Sequence, residues 1–129
     1  MKYSKKGWEK RKKDREGYPE FYISQVNHIK ENRLCCQECG VRLKGDVSEV
    51  SHIFPKNLFK SISILPENIL YLCSRYSNNN CHSILDDSKK EVVQKMKIFS
   101  IIENRFKKLE NLITEKIPYK IYERYSKTY

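Results

Sequence analysis

The sequence has no apolar run near the roughly 18 residues that a membrane-spanning helix requires. Its N-terminus is rich in lysine but lacks the apolar stretch of a secretory signal, so the expected location is cytoplasmic, with no membrane partner. Apolar residues are scarce for a globular chain, at 39% beside 33% charged. The length of 129 residues suits one domain but not comfortably two, and a core of this modest size calls for a covalent or metal staple. Five cysteines are there to supply it. In a reducing compartment, closely spaced cysteines are more often metal ligands than disulfides.

Charge is plentiful and unevenly placed. The formal net charge is +10. Residues 1–16 carry eight Lys/Arg against three acids, and residues 89–129 carry eleven against five, whereas residues 17–88 carry seven against eight. Two basic arms thus flank a near-neutral centre. That distribution suits a polyanion lying across the centre, with cations neutralising phosphates and releasing counterions; it also suits lysine-rich ends that only aid solubility. Lys10, Arg11, Lys12 and Lys13 in the first arm are candidate phosphate contacts, as are Lys56 and Lys60 near the centre.

In chain order, Pro19 opens a short amphipathic helix to about Asn32, with Phe21, Tyr22, Val26 and Ile29 at helical spacing. His28 within it reads as an ordinary packing or surface histidine. Cys36-Gln37-Glu38-Cys39-Gly40 has metal-knuckle spacing, the glycine allowing the tight turn behind the thiolates, and Cys35 is left over as a small buried apolar residue. Residues 41–43 and 47–53 read as two strands joined by a turn at Lys44-Gly45-Asp46, with a further apolar run at 68–72. Residues 74–80 form a loop, and a helix begins at Cys81. Ser88-Lys89-Lys90-Glu91 has the pattern of a capping box, so a second helix is expected from about Lys89. Val92, Met96, Phe99, Ile102, Phe106, Leu109 and Ile113 form its apolar stripe, either packed on the domain or serving as a homodimer seam, and Pro118 ends it. The tail, with Tyr119, Tyr122, Tyr125 and Tyr129 among basic residues, reads as a last packed helix or as a base-stacking surface.

Two constellations carry chemistry. Cys36, Cys39, Cys73 and Cys81 form two pairs able to close around one tetrahedral zinc, leaving no position for a substrate. A zinc there draws His52 and His82 together although they lie thirty residues apart. Phosphodiester hydrolysis needs an activated water, a cation on the phosphate and rigid placement. A neutral histidine supplies the first, and His82 with Asp86, four apart on one helix, can hold the second. Read singly, His52 could be a structural histidine, Asn68 a turn residue and His82 a zinc ligand.

Taken together, Cys36-x-x-Cys39, Val50-Ser51-His52-Ile53-Phe54-Pro55-Lys56, Glu67-Asn68-Ile69-Leu70, Cys73 and Cys81-His82-Ser83-Ile84-Leu85-Asp86 resemble the zinc-clipped HNH endonucleases over residues 36–87. The resemblance implies an α+β fold with a ββα-metal core around one catalytic divalent ion, Mg²⁺ or Mn²⁺, beside a structural Zn²⁺. It also implies His52 as general base, Asn68 as the residue that orients His52, His82 as a metal ligand and Asp86 as an auxiliary ligand. Many members carry an aspartate or histidine directly before the base, where this chain has Ser51, a weak neutral ligand. The expected organisation is a basic arm over 1–18, a zinc-stapled core over 19–87 and a helical extension over 88–129. The expected activity is hydrolysis of duplex or branched DNA. Its rivals are a non-catalytic zinc-stabilised nucleic-acid-binding module and a structural subunit dimerising through residues 89–114.

Overall fold

The computed structural model describes residues 17–126. The expected arm contacts Lys10, Arg11, Lys12 and Lys13 lie outside the described residues. Helix α1 spans Tyr18–Glu31, with Pro19 in its first turn, where a missing amide hydrogen costs nothing, and with Ile29 buried on its inner face. Among the described residues no helix is long and apolar enough to cross a membrane.

The sheet has two antiparallel strands, β1 at Val50–His52 and β2 at Ile69–Tyr71, with Val50 opposite Tyr71, Ser51 opposite Leu70 and His52 opposite Ile69. The expected hairpin of 41–43 with 47–53 is not formed. Arg42 makes only an isolated bridge with Cys35, and Val47–Glu49 is a 3-10 turn. The cause is Glu49. Its buried carboxylate accepts the backbone amides of Lys44, Gly45 and Asp46 at 2.9, 2.7 and 2.8 Å, curling the chain around itself instead of leaving those amides for a strand partner. Gly45, at φ +86°, permits that curl.

Helix α2 spans Cys81–Asp87 and follows the sheet, giving a mixed helix and two-strand arrangement of the α+β class. Asn80 precedes it at φ +39° and its side chain accepts the Ser83 amide. The single helix expected beyond Lys89 is instead two: α3 at Lys90–Val93 and α4 at Phe99–Leu109. No Ser88 capping box forms, since Lys89 takes the cap position without a side-chain bond. The break is stabilised from outside. The carboxylate of Glu38, between the knuckle cysteines, accepts the amides of Lys97 and Ile98 at 3.0 and 2.9 Å and so starts α4.

Of the expected apolar stripe, Phe99, Ile102, Phe106 and Leu109 are buried and Met96 and Ile113 partly so, whereas Val92 is exposed and Val93, outside the stripe, takes the inner position instead. Phe54 is stacked on Phe106 at 5.1 Å and meets Phe59 edge-on at 5.0 Å, joining the segment after β1 to α4. Arg105 of α4 donates to the Ile69 carbonyl at 2.7 Å. Pro118 does not end α4, which stops at Leu109; it precedes a last helix, α5, at Tyr119–Tyr125. That helix is packed, as expected of the tail: Tyr125 is buried and Tyr122 meets Phe106 edge-on at 5.5 Å.

Candidate metal centre and adjoining cavity

The knuckle residues turn tightly. The Gly40 amide donates to the Cys36 carbonyl at 2.9 Å, with Gly40 at φ +81°, and the Cys36 amide donates to the Val41 carbonyl at 2.7 Å. Gln37 fastens this turn to β2, its amide donating to the Tyr71 carbonyl at 2.9 Å and its side-chain oxygen accepting the Tyr71 amide at 2.7 Å. Cys73 lies two residues beyond β2 and Cys81 opens α2, and the His82 amide donates to the Cys73 carbonyl at 3.0 Å, which closes the loop between them.

The ligand atoms of Cys36, Cys39, Cys73 and Cys81 all lie within 4.8 Å of one another. Cys39 Sγ and Cys73 Sγ are 3.7 Å apart, close to the edge of about 3.8 Å of a tetrahedron with metal–sulfur bonds of about 2.3 Å. All five cysteines are free thiols. The cluster is thus compatible with a structural metal such as zinc. Amides already point at the sulfurs, from Cys39 to Cys36 Sγ at 3.5 Å and from Cys81 to Cys73 Sγ at 3.3 Å. Burial pushes the Cys36 and Cys81 thiols up, Cys81 further because neighbouring thiols crowd it. At Cys39 burial acts in the same direction, but hydrogen bonds from the Val41 backbone, Asn79 and the adjacent cysteines outweigh it and bring the thiol to about 7. Cys35 stands outside the cluster and is exposed rather than buried as expected, because its backbone bridges to Arg42 at the edge of the knuckle.

Beside this centre is an open cavity of about 560 Å³ whose wall includes His52, Lys56, His82 and Asp86. His52 comes from β1, Lys56 from the turn after it, and His82 and Asp86 from one face of α2. His82 Nε2 is 2.9 Å from Asp86 Oδ2, and His82 Nδ1 is 2.5 Å from the Ser48 carbonyl oxygen. Both ring nitrogens are therefore engaged away from the cysteines. The hydrogen bond to Asp86, with the Ser48 carbonyl adding to it, raises the His82 pKa against the opposing effect of burial.

His52 is shifted the other way, down to about 4, chiefly by burial and then by the positive charges of Lys56 and His82, with Asp86 and the nearby Ser63 backbone opposing. It is accordingly a neutral imidazole near pH 7. Asn68 does not act on His52 directly. Fully buried, it accepts the Phe54 amide at 2.7 Å and donates to the Phe54 carbonyl at 3.1 Å, while its own carbonyl takes the Ile53 amide at 3.0 Å. These bonds fix the backbone immediately after His52.

Ser51, expected as a weak metal ligand, does not line this cavity. It alternates with Val50 and His52 along β1 and so faces the opposite side, fully buried, with its hydroxyl lacking a hydrogen-bond partner among the described residues. Lys60 is exposed on the turn Lys60–Ile62, off the cavity wall. Lys56 is inside it, its Nζ donating to the Tyr22 hydroxyl at 2.7 Å and lying 4.8 Å from the Tyr22 ring centroid.

Three further wall residues carry no signal of their own in the sequence. Tyr22 is visible there only as part of the apolar face of α1, and Tyr125 and Arg124 only as members of a basic, tyrosine-rich tail. Arg124 donates to the Leu85 and Ser88 carbonyls and so ties α5 to the end of the helix that carries His82 and Asp86. No protein-family profile, curated protein or solved structure matches the chain.

Proposed function

We propose that this chain is a zinc-stapled endonuclease of the HNH type that hydrolyses DNA phosphodiester bonds. The observation that carries the reading is the convergence of a neutral His52, the His82–Asp86 pair and Lys56 on one open cavity, with Asn68 clamping the backbone beside His52. His52, with the backbone after it held by Asn68, takes the proton of the attacking water. Lys56 pairs with the phosphate.

The donor set fits a hard divalent cation, since one imidazole and one carboxylate leave room for the waters and phosphate oxygens that Mg²⁺ prefers. Bound by His82 and Asp86, such an ion supplies Lewis-acid stabilisation of the phosphate and of the departing 3′ oxygen. The four-cysteine centre takes the structural Zn²⁺ in this reading. The family resemblance implies 5′-phosphate products.

The test is nicking of supercoiled plasmid with Mg²⁺ or Mn²⁺ by zinc-loaded wild type and by His52→Ala. Metal-dependent nicking lost in the variant supports the reading. A folded, zinc-loaded wild type that cuts neither plasmid nor branched or single-stranded DNA removes it. Two observations favour the second reading, a binding module of nuclease ancestry: Ser51 faces away from the cavity, and His82 and Asp86 are bonded to each other. That reading predicts salt-sensitive DNA binding without cleavage.

A further inference from the structure

A second recess, of about 400 Å³, adjoins the first across segment 47–50, with Val47, Ser48 and Val50 on the wall of the larger cavity and Glu49 on the wall of the smaller one. Its rim carries Arg42 and Lys44 from the chain behind the knuckle, and Tyr76, Asn78 and Asn79 from the loop between Cys73 and Cys81. Tyr76 is 49% exposed, with the Lys44 ammonium 5.3 Å and the Arg75 guanidinium 5.1 Å from its ring centroid. Arg75 also donates to the Tyr76 hydroxyl at 3.2 Å.

Of the two carboxylates nearby, Glu49 is buried and committed inward, whereas Asp46 is half-exposed and its charge acts on Arg75. Glu49 holds the three amides already described, and Asp46 accepts the Ser48 amide at 2.9 Å. With Arg42, Lys44 and Arg75 set against the one half-exposed carboxylate of Asp46, the outward charge of the rim is net positive. The loop that presents Tyr76 is fixed at both ends by the cysteine cluster and at its start by a bond from the Ser48 hydroxyl to the Ser74 hydroxyl at 2.7 Å.

Cations placed around an exposed aromatic ring, with side-chain amides alongside that both donate and accept, match a single nucleic-acid strand. Phosphates pair with Lys and Arg while a base stacks on the ring. An acidic peptide would use the cations and leave Tyr76 idle. We propose that this recess is a second nucleic-acid site, which takes the backbone of an unpaired strand on Arg42, Lys44 and Arg75 and stacks one base on Tyr76. The inference rests on the nuclease reading only in choosing nucleic acid as the ligand. The shared wall at 47–50 makes it a hold on the strand next to the cleavage cavity.

The experiment is fluorescence anisotropy with the zinc-loaded full chain and a labelled oligothymidylate of about 15 nucleotides, long enough for one such site. Salt is varied between about 50 and 200 mM, with no Mg²⁺ or Mn²⁺ added. Replacing Arg42, Lys44 and Arg75 together by Gln is expected to lower the log–log salt slope by about 2, at about 0.7 for each phosphate that is no longer neutralised. Tyr76→Ala is expected to weaken binding about tenfold while Tyr76→Phe, which keeps the stacking face, binds as wild type. An unchanged slope, or a Tyr76→Ala protein that binds as wild type, overturns the inference. The assay contains no cleavage metal, so the two readings fail separately. Plasmid nicking beside unaltered oligonucleotide binding in these variants removes this site and leaves the nuclease, and a wild type that binds no oligonucleotide likewise removes this site, the nuclease standing or falling by the nicking test.

Discussion

Asn68 holds Phe54 by both sides of its amide, Oδ1 accepting the Phe54 backbone N–H at 2.7 Å and Nδ2 donating to the Phe54 carbonyl at 3.1 Å, in a site without solvent exposure. Asn68→Ala leaves both backbone groups unpaired in a buried place, a loss of roughly 2–4 kcal/mol. Asn68→Asp keeps the acceptor but loses the donor and adds a buried charge. Both variants are expected to melt earlier than wild type in thermal denaturation. Both are also expected to lose nicking at temperatures where they remain folded, because His52 no longer has a fixed backbone behind it. Full nicking by folded Asn68→Ala would make the clamp a stability device only.

The cysteine centre gives the clearest outcome for metal removal. The purified chain is expected to release about one zinc on thiol titration, and stripping that metal should abolish cooperative unfolding, since the cluster joins the knuckle, β2 and α2 in a small core. Cys73→Ser should do the same, whereas Cys35→Ser, outside the cluster, should leave zinc content and melting unchanged. Elemental analysis with circular dichroism decides it. Retention of zinc by Cys73→Ser, with normal melting, would contradict the four-thiolate assignment.

Much of this centre was legible because it is local. Two cysteines two residues apart with a glycine behind them specify a turn, and a histidine with an aspartate four residues on specifies a helix face. What the sequence concealed depends on single side chains reaching far along the chain. Glu49 curls 44–46 around its carboxylate and so prevents the expected hairpin, and Glu38 starts α4 from a distance of some sixty residues and splits a helix that periodicity runs together. Acidic residues are ordinary in any sequence. Nothing in their local pattern says that a carboxylate will be turned inward onto backbone amides.

That splitting can be tested. Glu38→Ala frees the Lys97 and Ile98 amides and is expected to cost about 1–2 kcal/mol, in the range of a lost helix cap. Glu38→Gln, which can still accept, should recover part of the loss. Chemical denaturation of the zinc-loaded variants measures it, and equal stability of Ala and wild type would show that α4 starts without outside help.

Lys56 and His52 share the cavity wall, and Lys56 is the largest cause after burial of the drop in the His52 pKa to about 4. A histidine depressed in the folded state contributes full stability above its unfolded value of about 6.5, and that contribution is lost as pH falls through the folded value, because the unfolded chain binds the proton first. The expected loss between pH 6.5 and 4 is at most about 3 kcal/mol, absent in His52→Asn. Lys56→Met removes the repelling charge and should raise the His52 pKa part of the way back toward 6.5, read from the imidazole resonances by NMR. The same substitution should shift the acid limb of the nicking profile upward, and at neutral pH it should slow cleavage by about ten- to a hundredfold through loss of a phosphate partner. Tyr22→Phe deletes the 2.7 Å hydrogen bond to Lys56 but keeps the ring beneath its ammonium. Its effect should fall on the rate, with the His52 pKa near the wild-type value, since the charge stays in place. A Lys56→Met protein in which His52 still titrates at about 4 would leave burial and the His82 charge as the causes.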